Sequence, residues 1–393
     1  MKNGPKMDVV RGGREAACAE VDLSRVEREV DDGDRAAFLG CVATALDPEQ
    51  RRRVAEPGKA FPRQECTLAV HWHPEFLPLD LVMQRVRALY PNSGPELVIP
   101  TQHNELLTLG GYAGVEVDCY SRGFNRKVQL LLHFRADKVA SGADKLRSML
   151  DHTFTYRSSQ LEEFLDSLVE DGLAGRRARA AANTGAGEDL VGFCRVYAGK
   201  LRTLLEENWA DTPRAMAKNK LVRDFFDALR PRFGDRVVDR AQVFLKEVKR
   251  LVKEQFSLRH FYRASEIIEE ARGLGGGVVI PHPEQFWPIL LADYDVDGIE
   301  VWNPQSREYT EFLIHVVGRH NETRRTKRPL LVLMGDDCHM GEKVKDPRVQ
   351  DPEKAGREVG LQPAWDDLAI RKSLILCGMS REKAIEEYAA RLG

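Results

Sequence analysis

Seven apolar runs of strand length, each closed by a polar or glycine-bearing turn, constrain the fold of this 393-residue chain more than any other feature. They are CTLAVHW (66–72), ELVIPT (96–101), AGVEVDC (113–119), KVQLLLHF (127–134), GGVVIP (276–281), DGIEVWN (297–303) and PLLVLMG (329–335). Short apolar runs bounded by turn residues read as buried strands. Helical patterns lie between several of them: LDLVMQRVRALY (79–90), ASEIIEEARGL (264–274) and the stretch 309–317. Apolar strands alternating with helices imply parallel pairing with both sheet faces covered. About seven such strands predict an α/β fold built on a closed or nearly closed β/α barrel.

The stretch 151–262 breaks that alternation. LEEFLDSLVEDGL, LVGFCRVYAGKLRTLLEENW, NKLVRDFFDALRPRF and DRAQVFLKEVKRLVKEQF all have apolar residues at helical spacing. Between the first two sits GRRARAAANTGAGED, a Gly/Ala/Arg-rich segment expected to be a mobile connector. The predicted organisation is therefore a polar, weakly structured extension (1–64), a first barrel part (65–150), an inserted all-helical subdomain (151–262), a second barrel part (263–345) and a tail (346–393) ending in a helix at 380–392. No apolar run approaches the roughly 18 residues of a membrane span, and the polar, glycine-broken N-terminus does not resemble a targeting peptide. The cysteines are Cys18, Cys41, Cys66, Cys119, Cys194, Cys338 and Cys377, scattered and without a C-x-x-C pair. That usage excludes a zinc ribbon and predicts a reducing, cytoplasmic setting. A net charge of −2 gives no global pull toward nucleic acid. The basic clusters at 176–179 and 324–328 read as solvated surface.

Histidines and carboxylates collect at the ends of the strands. His71 and His73 flank Trp72, and a period of two points both imidazoles to one side. His103 follows the second run, Glu116 lies in the third, and His133 closes the fourth. His282 follows the fifth, Asn303 ends the sixth, and Asp337 and His339 follow the seventh. Parallel barrels build active sites at the C-terminal ends of their strands. Buried imidazoles and acids are costly unless paired or coordinated, so this collection predicts a metal site. Eight or nine donors are too many for one ion. Mixed nitrogen and oxygen ligands suit Zn²⁺, Mn²⁺ or Fe²⁺, and two to three such ions would activate a bound water with no protein nucleophile.

With these residues in place, the chain resembles the PHP (polymerase and histidinol phosphatase) superfamily of metal-dependent phosphoesterases over about 66–134 and 265–340. H-W-H is similar to the opening H-x-H of that family and PTQH to its T-D-H. GVEV, LLLHF and IPHP resemble its next three motifs, and DGIEVWN and GDDCH its closing D-G-I-E-V-x-N and G-S-D-x-H. The resemblance implies a distorted, TIM-like barrel of seven strands. It also implies His71, His73, Glu116 and Asp337 on a first ion, His103 and His339 on a second, and Glu116, His133 and His282 on a third. The family's ligand about five residues after H-x-H is replaced by Pro78. Glu75 is the preferred substitute and Asp80 the other, although Asp80 looks like the N-cap of the following helix. Gln102 and Asp336 stand where the family has aspartate and serine. Asn303 and Arg122 are candidates for contacting substrate.

The expected activity is hydrolysis of a small phosphomonoester or nucleotide, with no membrane partner and no oligomeric state implied. A nuclease on oligonucleotides would need a long basic groove. A non-catalytic metal-binding module would be marked by lost ligands. A C–N hydrolase would carry a lysine bridge where Glu116 stands. No phosphate-binding P-loop, nucleophile elbow or dinucleotide fingerprint competes.

Overall fold

Every one of the seven apolar runs carries a strand in the computed structural model, which describes residues 21–324, 328–347 and 350–393. The chain is mixed α/β and separates into two compact units, one formed by residues up to 43 with 160–256 and the other by 44–159 with 257–393.

Among the described residues the second unit holds all the strands: β1 (Thr67–Ala69), β2 (Trp72–His73), β3 (Glu96–Val98), β4 (Leu107–Leu109), β5 (Tyr112–Ser121), β6 (Arg126–Arg135), β7 (Gly277–Ile280), β8 (Gly298–Trp302), β9 (Leu331–Met334) and β10 (Cys338–His339). Six form one sheet in the order β4-β5-β6-β7-β8-β9, while β1 pairs with β3 and β2 with β10. These sheets are open, and among the described residues their hydrogen bonding closes no barrel. The strand directions also depart from the all-parallel expectation. Only β7, β8 and β9 run parallel within the large sheet, and β4 through β7 are antiparallel neighbours. The cause is local: the four residues 122–125 contain Gly123 and Asn125, the latter at φ 52°, and they fold β5 back on β6 as a hairpin.

Both faces of β5 are covered, but with different chemistry. Val115, Val117 and Cys119 enter the main apolar core with Leu130, Leu132 and Phe134 of β6. Glu116 and Asp118, one residue out of phase, are equally buried on the opposite face. The helix Leu79–Leu89 buries Leu81, Val82, Arg85, Val86 and Leu89. Arg85 is held by Glu358 through two bonds of 2.7 and 2.6 Å. This helix has Pro78 as N-cap with no side-chain cap, so Asp80 lies exposed in its first turn and does not cap it.

The first unit is helical. Its core gathers Phe193, Tyr197, Phe225, Phe226 and Phe244. At its centre the ammonium of Lys200 meets Asp34 at 2.5 Å, both side chains about 1% exposed. The region expected as a weak extension lies partly outside the described residues (1–20). The rest contains two capped helices, Asp32–Val42 and Pro48–Ala55, each opened by a reciprocal capping box. The expected connector is helical over Ala174–Thr184 and stops at Gly185, φ 66°. Five alanines outweigh one glycine in helix propensity there. Arg176 and Arg177 bond to Ser167, Glu163, Gln255 and main-chain carbonyls, so they are committed internally. Most of the second basic cluster, 324–328, lies outside the described residues. Cys18 does too, and the other six cysteines are free.

Candidate metal centre

Parallel pairing of β2 with β10 puts His73 directly beside His339, and their rings stack with centroids 4.4 Å apart. An isolated bridge between His103 and Glu116 brings the loop after β3 to the polar face of β5. The His103 ring also stacks on His73, at 4.3 Å, and lies 5.8 Å from the His339 ring. His71 precedes β2 and His282 follows β7, with ring centroids 5.4 Å apart. Side chains distant in sequence thus meet in one buried cluster.

Two carboxylates tie the imidazoles together. Glu116 Oε2 lies 2.5 Å from His103 Nδ1 and 3.5 Å from His73 Nε2, and its Oε1 lies 3.4 Å from His282 Nε2. Asp337 Oδ1 lies 3.4 Å from both His73 Nε2 and His339 Nε2, and 3.7 Å from His71 Nε2. Glu75 Oε1 is 3.5 Å from His339 Nδ1. Three overlapping trios have ligand atoms within 4.8 Å of one another: His73–His103–His339, His71–His73–Asp337 and His71–Glu116–His282.

These atoms approach closely without bonding to each other. His71 Nε2, His73 Nε2, His103 Nδ1 and both Glu116 oxygens are buried and make no directed hydrogen bond. Buried polar groups in that state are expensive. Lone pairs aimed at common points between the side chains, and not at one another, explain the arrangement, and a mixed N/O donor set of this kind fits divalent transition metals. Backbone strain collects in the same place. Of the five non-glycine residues at positive φ among the described residues, Glu75, His282 and Asp337 belong to the cluster and Asn104 adjoins His103.

The surroundings hold each group in register. His71 Nδ1 donates to Glu300 Oε2 at 2.6 Å, which leaves Nε2 for the site. Glu300 is in turn held by Asn303 Nδ2 at 2.9 Å. A Cβ on Gly335 would collide with the Glu300 carboxylate, and one on Gly341 with that of Glu75. Asp337 Oδ2 accepts from Arg357 Nη1 at 2.9 Å and Gln305 Nε2 at 2.8 Å, so Oδ1 alone faces the imidazoles. Gln102 accepts from the main-chain N–H of Glu75 at 3.2 Å. Asp336 accepts from the amides of Cys338 and Gly360, and burial pushes its carboxyl up to about 7.

Electrostatics divides the cluster. Burial would lower His71, but Glu300, then Asp337 and Glu116, raise it to about 10. Burial together with His103 and His339 pushes His73 down to about 3. Against burial, Asp337 and Glu75 lift His339 to about 9, and Glu116 raises His282. Burial opposes ionisation of Glu116 and Asp337, yet the imidazoles hold both well below the usual carboxylate range. Two ionised acids are therefore ringed by imidazoles that differ widely in basicity.

Of the residues expected at the site, His71, His73, Glu75, His103, Glu116, His282, Asp337 and His339 come together. His133 does not join them. Its Nδ1 meets Tyr388 Oη at 2.6 Å and its Nε2 meets the Val70 carbonyl at 2.8 Å, so neither nitrogen is left for an ion. Asn303 is fully buried behind Glu300 and does not face a substrate. Arg122 lies past the end of β5, about 20 Å along the strand from Glu116 at strand rise, in a separate pocket with Phe124 and Tyr294. Asp80 is outside the cluster. Glu300 was missed, although a carboxylate inside the otherwise apolar GIEVW was a signal that it needed a partner.

No known family model matches this chain, and no curated protein matches it. A crystal structure of a protein from Bifidobacterium adolescentis, named a "putative metal-dependent phosphoesterase", is similar at a TM-score of 0.40 and 18% identity, over 82% of this chain and 97% of that one. The functional reading rests on the geometry of the site and not on that likeness.

Proposed function

We propose that this chain is a metal-dependent phosphoesterase that hydrolyses a small phosphomonoester or nucleotide at a site holding two to three zinc, manganese or iron ions. The observation that carries the reading is the set of buried, unbonded nitrogen and oxygen atoms converging in three linked trios. The order of the motifs along the chain, similar to that of the PHP superfamily, supports it, and a distorted barrel related to that family is the architecture it implies. Divalent cations there would lower the pKa of water and offset charge on the phosphate and on the leaving oxygen.

The side chains divide the work. Glu116, with two unbonded oxygens between His103, His73 and His282, bridges two positions. Asp337, fixed by Arg357 and Gln305, offers one oxygen to three imidazoles. Glu75 completes the His339 side in place of the residue that Pro78 replaces. Side chains of His103 and His339 are 28% and 29% exposed, so substrate enters on their side. No protein nucleophile is needed, and Cys338 is turned away toward the Arg357 carbonyl.

Elemental analysis of the purified protein should find about two to three transition-metal equivalents per chain. p-Nitrophenyl phosphate should be turned over in a chelator-sensitive manner, and His282→Ala or Asp337→Ala should abolish turnover with an unchanged circular dichroism spectrum. Activity that survives complete chelation, or protein that takes up no metal, sinks the reading.

A further inference from the structure

A cavity of the metal-bearing unit lies away from the histidine cluster. Its volume is about 520 Å³, in the usual range for small-molecule sites. Three segments wall it: the end of β5 with its hairpin turn, the start of the helix Ala264–Gly273, and the chain from Pro288 to Tyr294. An isolated parallel bridge between Tyr120 and Arg263 ties the first two together, and the Tyr120 amide donates to the Tyr262 carbonyl at 2.8 Å. Arg122 follows about 7 Å beyond that pairing at strand rise. Two exposed guanidinium groups, those of Arg122 and Arg263, therefore border one space. Neither forms an ion pair among the described residues, whereas Arg85, Arg157, Arg272 and Arg357 of the same unit are all paired. Asp293 is the one acid in the wall, so the lining carries net positive charge.

Aromatic rings form much of the rest. Tyr120, Phe124 and Tyr294 line the cavity and are half-buried. The Tyr120 hydroxyl donates to Asn125 Oδ1 at 2.5 Å, and Tyr294 Oη lies 2.6 Å from Ser121 Oγ, so both tyrosine rings are held at their outer ends. Leu291, 89% exposed, adds an apolar lip. Fixed ring faces beside two unpaired guanidinium groups match a flat ring and a phosphate carried on one molecule.

We propose that this cavity binds a phosphorylated aromatic ligand of nucleotide size, its phosphate between Arg122 and Arg263 and its ring against Tyr120, Phe124 and Tyr294. Arg122 lies about 20 Å along the strand from Glu116, so the site is distinct from the metal cluster. The proposal goes beyond the phosphoesterase reading and does not rest on it.

Cyclic adenosine 3′,5′-monophosphate is the probe, because a diester is not a substrate for a phosphomonoesterase yet keeps the base and the anionic phosphate. Titrated calorimetrically into the full-length protein, it should bind at least about tenfold more tightly than adenosine, which has the ring without the charge. Replacing both arginines, Arg122→Gln with Arg263→Gln, should weaken it about thirtyfold or more, with metal content unchanged. Photolabelling of the wild type with the 8-azido form locates the bound ring should the double variant not fold, and the label should fall within 120–124 or 288–294. Failure of the cyclic nucleotide to bind overturns the proposal, and so does adenosine binding equally well. Unaltered affinity in the double variant, or label confined to other segments, also overturns it. Chelator-sensitive turnover of p-nitrophenyl phosphate alongside any of those results leaves the phosphoesterase reading standing. Cyclic nucleotide bound in this cavity by a protein that takes up no metal sinks that reading and leaves the present one.

Discussion

His71 places one nitrogen 2.6 Å from Glu300 and the other 3.7 Å from Asp337. The first contact fixes the tautomer and the ring plane, and so decides where the second nitrogen points. Glu300→Gln should therefore weaken metal binding about 10–100-fold while leaving the fold intact. Competition against a chelating indicator reads this, and affinity within about twofold of wild type would count against the role. His133 makes the opposite case. Its two nitrogens serve Tyr388 and Val70. His133→Phe should cost about 1–3 kcal/mol of stability in urea unfolding, through the polar partners left behind, with metal content unchanged. Loss of a metal equivalent would restore it as a ligand. The sequence could show His71 and His73, because H-x-H has a geometric meaning within one strand. It could not show that His133 is engaged, because its partner Tyr388 lies 255 residues further on.

At the scale of elements, strand positions were legible and strand directions were not. Apolar run length reports burial, and all seven runs are buried strands. Direction is set by connections, and the short turn at 122–125 was the overlooked hairpin signal. The helix Ala174–Thr184 was hidden by its glycine and arginines and by the glycines that follow it, although its alanines favour helix. Helix Asp32–Val42 offers a test of local stabilisation. Asp31 accepts from the amide of Asp34 at 2.7 Å, and that bond, reinforced by Arg232, lowers the Asp31 carboxyl below its usual value. Asp31→Ala should cost about 0.5–2 kcal/mol at neutral pH. A carboxyl depressed in the folded state stabilises fully above its unfolded value of about 3.9 and loses that effect as pH falls through the folded value. The difference between wild type and variant should therefore shrink in acid unfolding below about pH 4. A difference that stays constant across that range would remove the charge from the explanation.

On the scale of the whole molecule, alternating strands pointed to an α/β unit and amphipathic runs to a helical one. The joins between them depend on contacts that no local pattern records. The chain departs from the metal-bearing unit after Ser159 and returns at Ser257. Two bonds within that unit hold the departing and returning segments together: His152 Nε2 to the His260 carbonyl at 2.8 Å, and the Tyr156 hydroxyl to the Ser257 carbonyl. A flexible linker of about four residues is long enough to join ends so held. The centre is consequently portable. A shortened gene lacking codons 1–43 and spliced from 159 to 257 should yield a protein with the parental metal stoichiometry by elemental analysis. An insoluble or metal-free product would mean that the helical unit is a folding requirement of the centre and not its passenger.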